Sequence, residues 1–213
     1  MAKLSSGILG GISGTVGNVV GGRWRGIDYI RSKPATVNNP NTVAQKTQRL
    51  KFKLVGQFLK SIRPFVNIGF KNSANKRTAM NAAMSVNLKQ AITGDYPDLG
   101  IAPEQVEVAT GDLYGADTFD MDLSTAGSVT ITWSNNAGIG RAANTDAAMI
   151  LLYNTDTGAV TYNLHGASRE DGTLELTIPS GWSGANIAGY LAFRSETNRD
   201  VSNGIFIGED TAA

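Results

Sequence analysis

Cysteine is absent from all 213 residues. That removes a disulfide framework, thiolate metal sites and cysteine nucleophiles. His165 is the single histidine, and nothing beside it in sequence marks it as a general base. Long hydrophobic runs are missing too, and none approaches the roughly 20 residues that span a bilayer. The N-terminal stretch MAKLSSGILGGISGTVGNVVGG is interrupted by glycine too often for a signal-peptide core, and no basic cluster precedes it. These absences predict a chain made in the cytoplasm without a signal peptide and without a membrane span. The most unusual lack is of acid. From Tyr29 to Gly94, 66 residues pass without one Asp or Glu, while twelve Lys and Arg fall in the same span.

The protein as a whole is nearly neutral, at +1, so the charge is segregated along the chain. Residues 1–94 hold 15 basic side chains and one acid, Asp28, for a net +14. Residues 95–213 hold 4 basic and 17 acidic side chains, for a net −13. Such asymmetry is a statement about partners rather than about fold.

The first 30 residues are rich in glycine, with apolar and β-branched residues between. Gly21-Gly22 predicts a two-residue hairpin turn between strands near 13–20 and 23–31. Read as one strand, the second places Trp24 on one face and Arg23, Arg25, Ile27, Tyr29 and Arg31 on the other. A lone hairpin with so much glycine is marginal, and its edges invite pairing with another chain. After an extended stretch ending at Asn38-Asn39-Pro40-Asn41, Thr42 and Gln45 form a capping-box pattern. Leu50, Leu54, Phe58 and Ile62 then recur every fourth residue until Pro64, which ends or kinks the helix. Met80, Met84, Leu88 and Ile92 repeat the spacing in a second helix from about Asn75 to Thr93, with Gly94 as its cap.

Beyond Tyr96-Pro97 the pattern turns to short strands: Gln105–Thr110, Ser128–Trp133, Ala148–Tyr153, Ala159–Asn163, Thr173–Ile178, Ala188–Phe193 and Gly204–Gly208. Asn154 to Gly158 forms a hairpin loop between two of them. The fold class expected is therefore an α+β N-terminal module, a β-hairpin plus two amphipathic helices, over residues 1–97. An acidic all-β sandwich of immunoglobulin or fibronectin-III type follows over 98–213.

The N-terminal motifs are Gly14-Thr-Val-Gly-Asn-Val-Val-Gly, Trp24-Arg-Gly, Tyr29-Ile-Arg and Asn38-Asn-Pro-Asn-Thr-Val-Ala-Gln. They resemble an uncharacterised family found mainly in Bacteroidota, in which a similar N-terminal region precedes a β-sandwich. The first third is also similar to small phage and prophage proteins that carry a Gly-rich hairpin and an Asn-Pro-x-Thr helix start. The first resemblance implies architecture, with no activity attached. The second implies a virion or phage-like particle component.

Catalytic equipment is thin, and no cofactor, metal site or small-molecule substrate is expected. Asp120 and Asp122 lie at strand spacing and read as a solvated edge, and Glu104 with Glu107 lacks the context of a glycosidase pair. The loop at Asp156 has too few ligands for calcium. Gly14-x-x-Gly17 matches neither phosphate-binding glycine motif. The basic stretch admits three readings. A solvated helix face normally mixes signs for local pairing, and this one does not. Nucleic-acid binding would use Lys and Arg on phosphates with Trp24, Tyr29 or Phe70 stacking on bases, although no known recognition fingerprint is present and the acidic half would repel the ligand. Self-association would bring the basic end of one subunit to the acidic end of the next, head to tail. Docking of the two halves within one chain, and adhesion through the sandwich, are further alternatives. The reading adopted is a non-enzymatic, self-assembling homo-oligomer or particle subunit, with nucleic-acid binding as the alternative. Its contact residues are Arg23, Trp24, Arg25, Tyr29, Arg31, Lys51, Lys53 and Arg63.

Overall fold

A computed structural model of the chain describes residues 3–4, 10–36, 39–74, 76–197 and 199–213. Asn38 and Asn75, which bounded two of the expectations above, lie outside the described residues. The fold is mixed α+β and divides into two compact units, residues 1–42 and 43–213. The charge segregation is therefore resolved differently from the sequence halves. The first unit holds five basic side chains and one acid, net +4. The second holds 14 basic and 17 acidic, net −3, with all ten cations of residues 43–94 on its helical segment.

The first unit is an antiparallel sheet ordered β1 (Lys3–Leu4), β2 (Ile12–Val16), β3 (Val19–Trp24), β4 (Ile27–Ser32). The expected hairpin at Gly21-Gly22 is corrected: both glycines lie inside β3, and the turns are Gly17-Asn18 and Arg25-Gly26. Val16 faces Val19 across the first turn and Trp24 faces Ile27 across the second. Gly17 has φ 55°, and both Arg25 (φ 48°) and Gly26 (φ 87°) are left-handed, as two-residue hairpin turns require. The strand interior needs Gly22 for a different reason: a Cβ there would sit 2.8 Å from the Tyr29 hydroxyl, because that ring lies across β3.

The second unit opens with α1 (Val43–Ser61), which continues after Ile62 into α2 (Arg63–Gly69). Pro64 falls in the first turn of α2, where it has no intrahelical donor to lose. Three helices thus stand where two were expected. The third, α3 (Ala79–Gln90), starts at Thr78, whose hydroxyl accepts from Asn81 N at 3.1 Å. It ends before Gly94, which instead takes φ 79° between β5 (Ile92–Thr93) and β6 (Gly100–Ile101).

Segment 105–110 is also corrected. It forms a 3₁₀ turn at Pro103–Gln105 and then an extended run that belongs to none of the strands. Its polar groups are satisfied by side chains and by non-adjacent backbone. Buried Asn87 donates to the Glu107 carbonyl (2.9 Å) and accepts from Glu107 N (2.9 Å). Thr110 N donates to the Gly69 carbonyl, and Gly204 N to the Ala109 carbonyl.

Seven strands follow: β7 (Phe119–Asp122), β8 (Ser128–Trp133), β9 (Ala147–Asn154), β10 (Val160–Asn163), β11 (Thr173–Thr177), β12 (Asn186–Arg194) and β13 (Ile205–Thr211). They pair antiparallel in two sheets, ordered β10-β9-β12-β13 and β11-β8-β7. β9 and β12 are buried along nearly their whole length. Alternate residues feed separate cores. Met149, Leu151, Ala188, Tyr190 and Ala192 pack with Phe58, Phe65 and Phe70 of the helical segment. Ile150, Leu152, Leu191 and Phe193 pack with Val129, Ile131 and Trp133 of the other sheet. Helices and both sheets therefore form three layers around two shared strands.

A buried cation ties the loops of the second core together. Arg169 is wholly buried, with its guanidinium 3.8 Å from the Phe193 ring centroid. It pairs with buried Asp146 (3.2 Å) and donates to the carbonyls of Tyr114 and Gly115 and to the Asn136 side-chain oxygen. Its own carbonyl accepts from Trp133 Nε1 at 3.0 Å. Desolvation pulls the Arg169 pKa down, and the Asp146 charge and hydrogen bond push it back up. Replacing Arg169 with Met strands Asp146 as an uncompensated buried charge. The expected loss is about 3–5 kcal/mol of unfolding free energy, read from the midpoint of a urea transition with an unchanged slope.

Candidate assembly interface

The faces of the first unit follow from its register, since cross-strand partners share a face and neighbours along a strand do not. One face carries Val16, Val19 and Ile30 beside the Arg23–Asp28 pair, whose Nε and carboxylate oxygen are 3.6 Å apart. The other carries Val20, Trp24, Ile27, Tyr29 and Arg31. The expectation that Trp24 stands alone on its face is thereby corrected: the turn at Arg25-Gly26 reverses the chain and brings Trp24 beside Ile27.

Every residue of β4 is exposed, and Trp24 (61%), Ile27 (71%) and Ile30 (62%) are exposed to a degree unusual for large apolar side chains. A three-stranded ribbon ordinarily needs one covered apolar face to be stable in water. Among the described residues neither face has one. Arg25 adds a local cost, because a bulky side chain at positive φ is disfavoured by about 1–2 kcal/mol.

Of the eight expected contact residues, the structure gathers Arg23, Trp24, Arg25, Tyr29 and Arg31 on this sheet. Lys51 and Lys53 lie on α1 and Arg63 opens α2, in the other unit. Lys53 and Arg63 are exposed, and Lys51 is half-buried. Ile27 and Ile30 were missed, as were Val16 and Val19. Two Gly-containing pairs spaced eight residues apart, Gly17-Asn18 and Arg25-Gly26, carried the signal for them.

The second unit contains a surface of opposite character. On the three-stranded sheet β11-β8-β7, Val129, Ile131, Leu174, Leu176 and Met121 point into the core. The register places Asp120, Asp122, Ser128, Thr130, Thr132, Thr173, Glu175 and Thr177 on the outer face. That face bears three carboxylates, a row of hydroxyls and no cation. Hydrogen bonds from the Ser124 hydroxyl and backbone hold the Asp122 carboxyl below its usual pKa.

The remaining polar candidates are otherwise engaged. His165 is exposed, and its Nδ1 lies 3.2 Å from an Arg194 guanidinium nitrogen. Asp156 accepts from Asn186 N at 2.9 Å and serves the turn between β9 and β10. Glu104 and Glu107 border a groove of about 410 Å³ with Lys89 and Phe206. Burial raises the Glu107 pKa, and a hydrogen bond with Thr110 partly offsets it. Among the described residues no cluster of His, Asp or Glu could hold a metal ion, and no helix is long and apolar enough to cross a membrane.

A search of curated proteins finds no match to the chain. A family model does match, over residues 11–208, which takes in the exposed β2–β4 sheet, all three helices and nearly all of the β region. The chain belongs to DUF6266, a family of unknown function.

Proposed function

We propose that this protein is a non-enzymatic structural subunit that assembles with copies of itself through the β2–β4 sheet. The observation that carries the reading is a cationic ribbon with apolar side chains exposed on both faces. Such a ribbon gains its missing core by docking on something else, and its net +4 suits an acidic partner. The β region of another copy, with 17 acids against four cations, has that character. A contact between different surfaces of identical subunits is heterologous and closes into a ring or grows into a filament. The similarity of the N-terminal motifs to small phage proteins points to a phage or phage-like particle as the setting.

The β region is proposed to be a fibronectin-III-like sandwich. Support comes from strand distribution: the first, second and fifth of its seven strands form one sheet, and the others form the second. A nucleic-acid reading draws on a single observation, the sheet face that combines Trp24, Tyr29 and Arg31, because stacking rings beside a cation suit single strands.

Sedimentation velocity across a protein concentration series at about 50 mM and about 500 mM salt tests the assembly reading. Concentration-dependent growth at low salt, reduced at high salt where charges are screened, is expected. A strict monomer at low salt and high concentration overturns it. If that monomer binds single-stranded DNA with a steep negative salt slope, the nucleic-acid reading takes its place. Arg25→Asn separates local strain from contact. The turn gains about 1 kcal/mol, visible as slower amide exchange at Trp24 and Ile27, while loss of the cation weakens association roughly two- to fivefold.

A further inference from the structure

Resting on that reading, we infer that the surface receiving the β2–β4 sheet is the outer face of β11-β8-β7 in a second copy. The two surfaces match in size. β2–β4 of the first sheet and β11-β8-β7 are each three antiparallel strands, about 4.8 Å apart and four to six residues long, and two such layers can stack about 10 Å apart.

They also match in chemistry. The face of β3–β4 bearing Trp24, Tyr29 and Arg31 presents hydrogen-bond donors: a guanidinium, an indole N–H and a phenolic hydroxyl. The receiving face presents acceptors: Asp120, Asp122 and Glu175 around the hydroxyls of Thr130 and Thr132. Beside Asp120 and Thr132 a shallow hollow of about 210 Å³ opens, lined also by Phe119 and Trp133, and it can seat an aromatic ring. The single carboxylate of the first unit, Asp28, is on the opposite face and paired with Arg23, so it does not oppose the approach.

The ordinary explanation of Asp120 and Asp122 is that charge on an edge strand discourages edge-to-edge pairing. It covers those two residues and Glu175 on the opposite edge strand alike. It does not explain why all three carboxylates and the hydroxyl row between them share one cation-free face. Docking on that face leaves the strand edges alone and uses side chains only.

A charge swap tests the pairing in the full chain. One variant carries Arg25→Glu and Arg31→Glu; the other carries Asp120→Lys, Asp122→Lys and Glu175→Lys. All five positions are exposed, and thermal unfolding checks that each variant keeps its fold. Each alone should lose association by about a hundredfold, because like charges then face each other. Mixed in equal amounts they should associate again, since each now offers the complement of the other. If the triple variant associates as the parent protein does, the receiving surface is elsewhere and this inference falls, although self-assembly stands. If both variants fail singly and the mixture also fails, the two faces do not meet. If the parent protein is a monomer, the assembly reading itself is lost.

Discussion

Two strands, β9 and β12, carry the constraint on which the rest of the second unit depends. They pair over eight rungs, from Ile187 opposite Asn154 to Arg194 opposite Ala147. Because both faces are covered, one residue in two must fit against helices and its neighbour against a sheet. The run Ala148-Met-Ile-Leu-Leu-Tyr153 obeys this with no polar residue, and Tyr190 obeys it only by hydrogen-bonding its buried hydroxyl to the Pro103 carbonyl at 2.7 Å. A shift of one residue would exchange the two cores wholesale. Helices and sheets are thus locked into a single register by the same two segments.

Arg169 serves the loops as these strands serve the layers. Its donors reach the 114–115 turn, the loop at Asn136 and the acid at Asp146, and no apolar side chain could satisfy those groups together. The structure has therefore placed one of the four cations of residues 95–213 where it contributes nothing to the surface. Buried Asp146 leaves the surface with it, so the outer surface of the β region keeps the acidic excess of its composition and the contrast with the exposed β2–β4 sheet.

Much of this was legible in the sequence. β8, β9, β11 and β12 were found within one or two residues at each end, because β8 and β11 alternate apolar with polar residues and β9 and β12 are short, nearly continuous apolar runs. The loop at Asn154 to Gly158 was found because Asn and Gly in that order force a turn, and Asn154 Oδ1 accepts from the backbone N–H groups two and three residues on, Asp156 and Thr157. Segment 105–110 misled because Val106 and Val108 alternate as a strand does, while the ladder partner is replaced by Asn87, a residue distant in sequence. The N-terminal turns were misplaced because Gly21-Gly22 satisfies the same conformational rule as Gly17-Asn18. Only the cross-strand pairing distinguishes them. The acid-free stretch correctly signalled segregation, but linear charge could not reveal that it spans two structural units.

The pairing of β2, β3 and β4 has a further consequence, which concerns time. Val16 meets Val19 and Trp24 meets Ile27 across two-residue turns, so these contacts close within a few residues of chain. Hairpins of this kind form in about 1–10 μs. The outer face of β11-β8-β7 is completed only when Thr173–Thr177 returns to pair with Ser128–Thr132. At about 5–20 residues per second of synthesis, several seconds to tens of seconds separate the two events. During that interval a growing chain has its β2–β4 ribbon formed and its β11-β8-β7 face incomplete. Under the proposed pairing, its encounters with finished copies run in one direction.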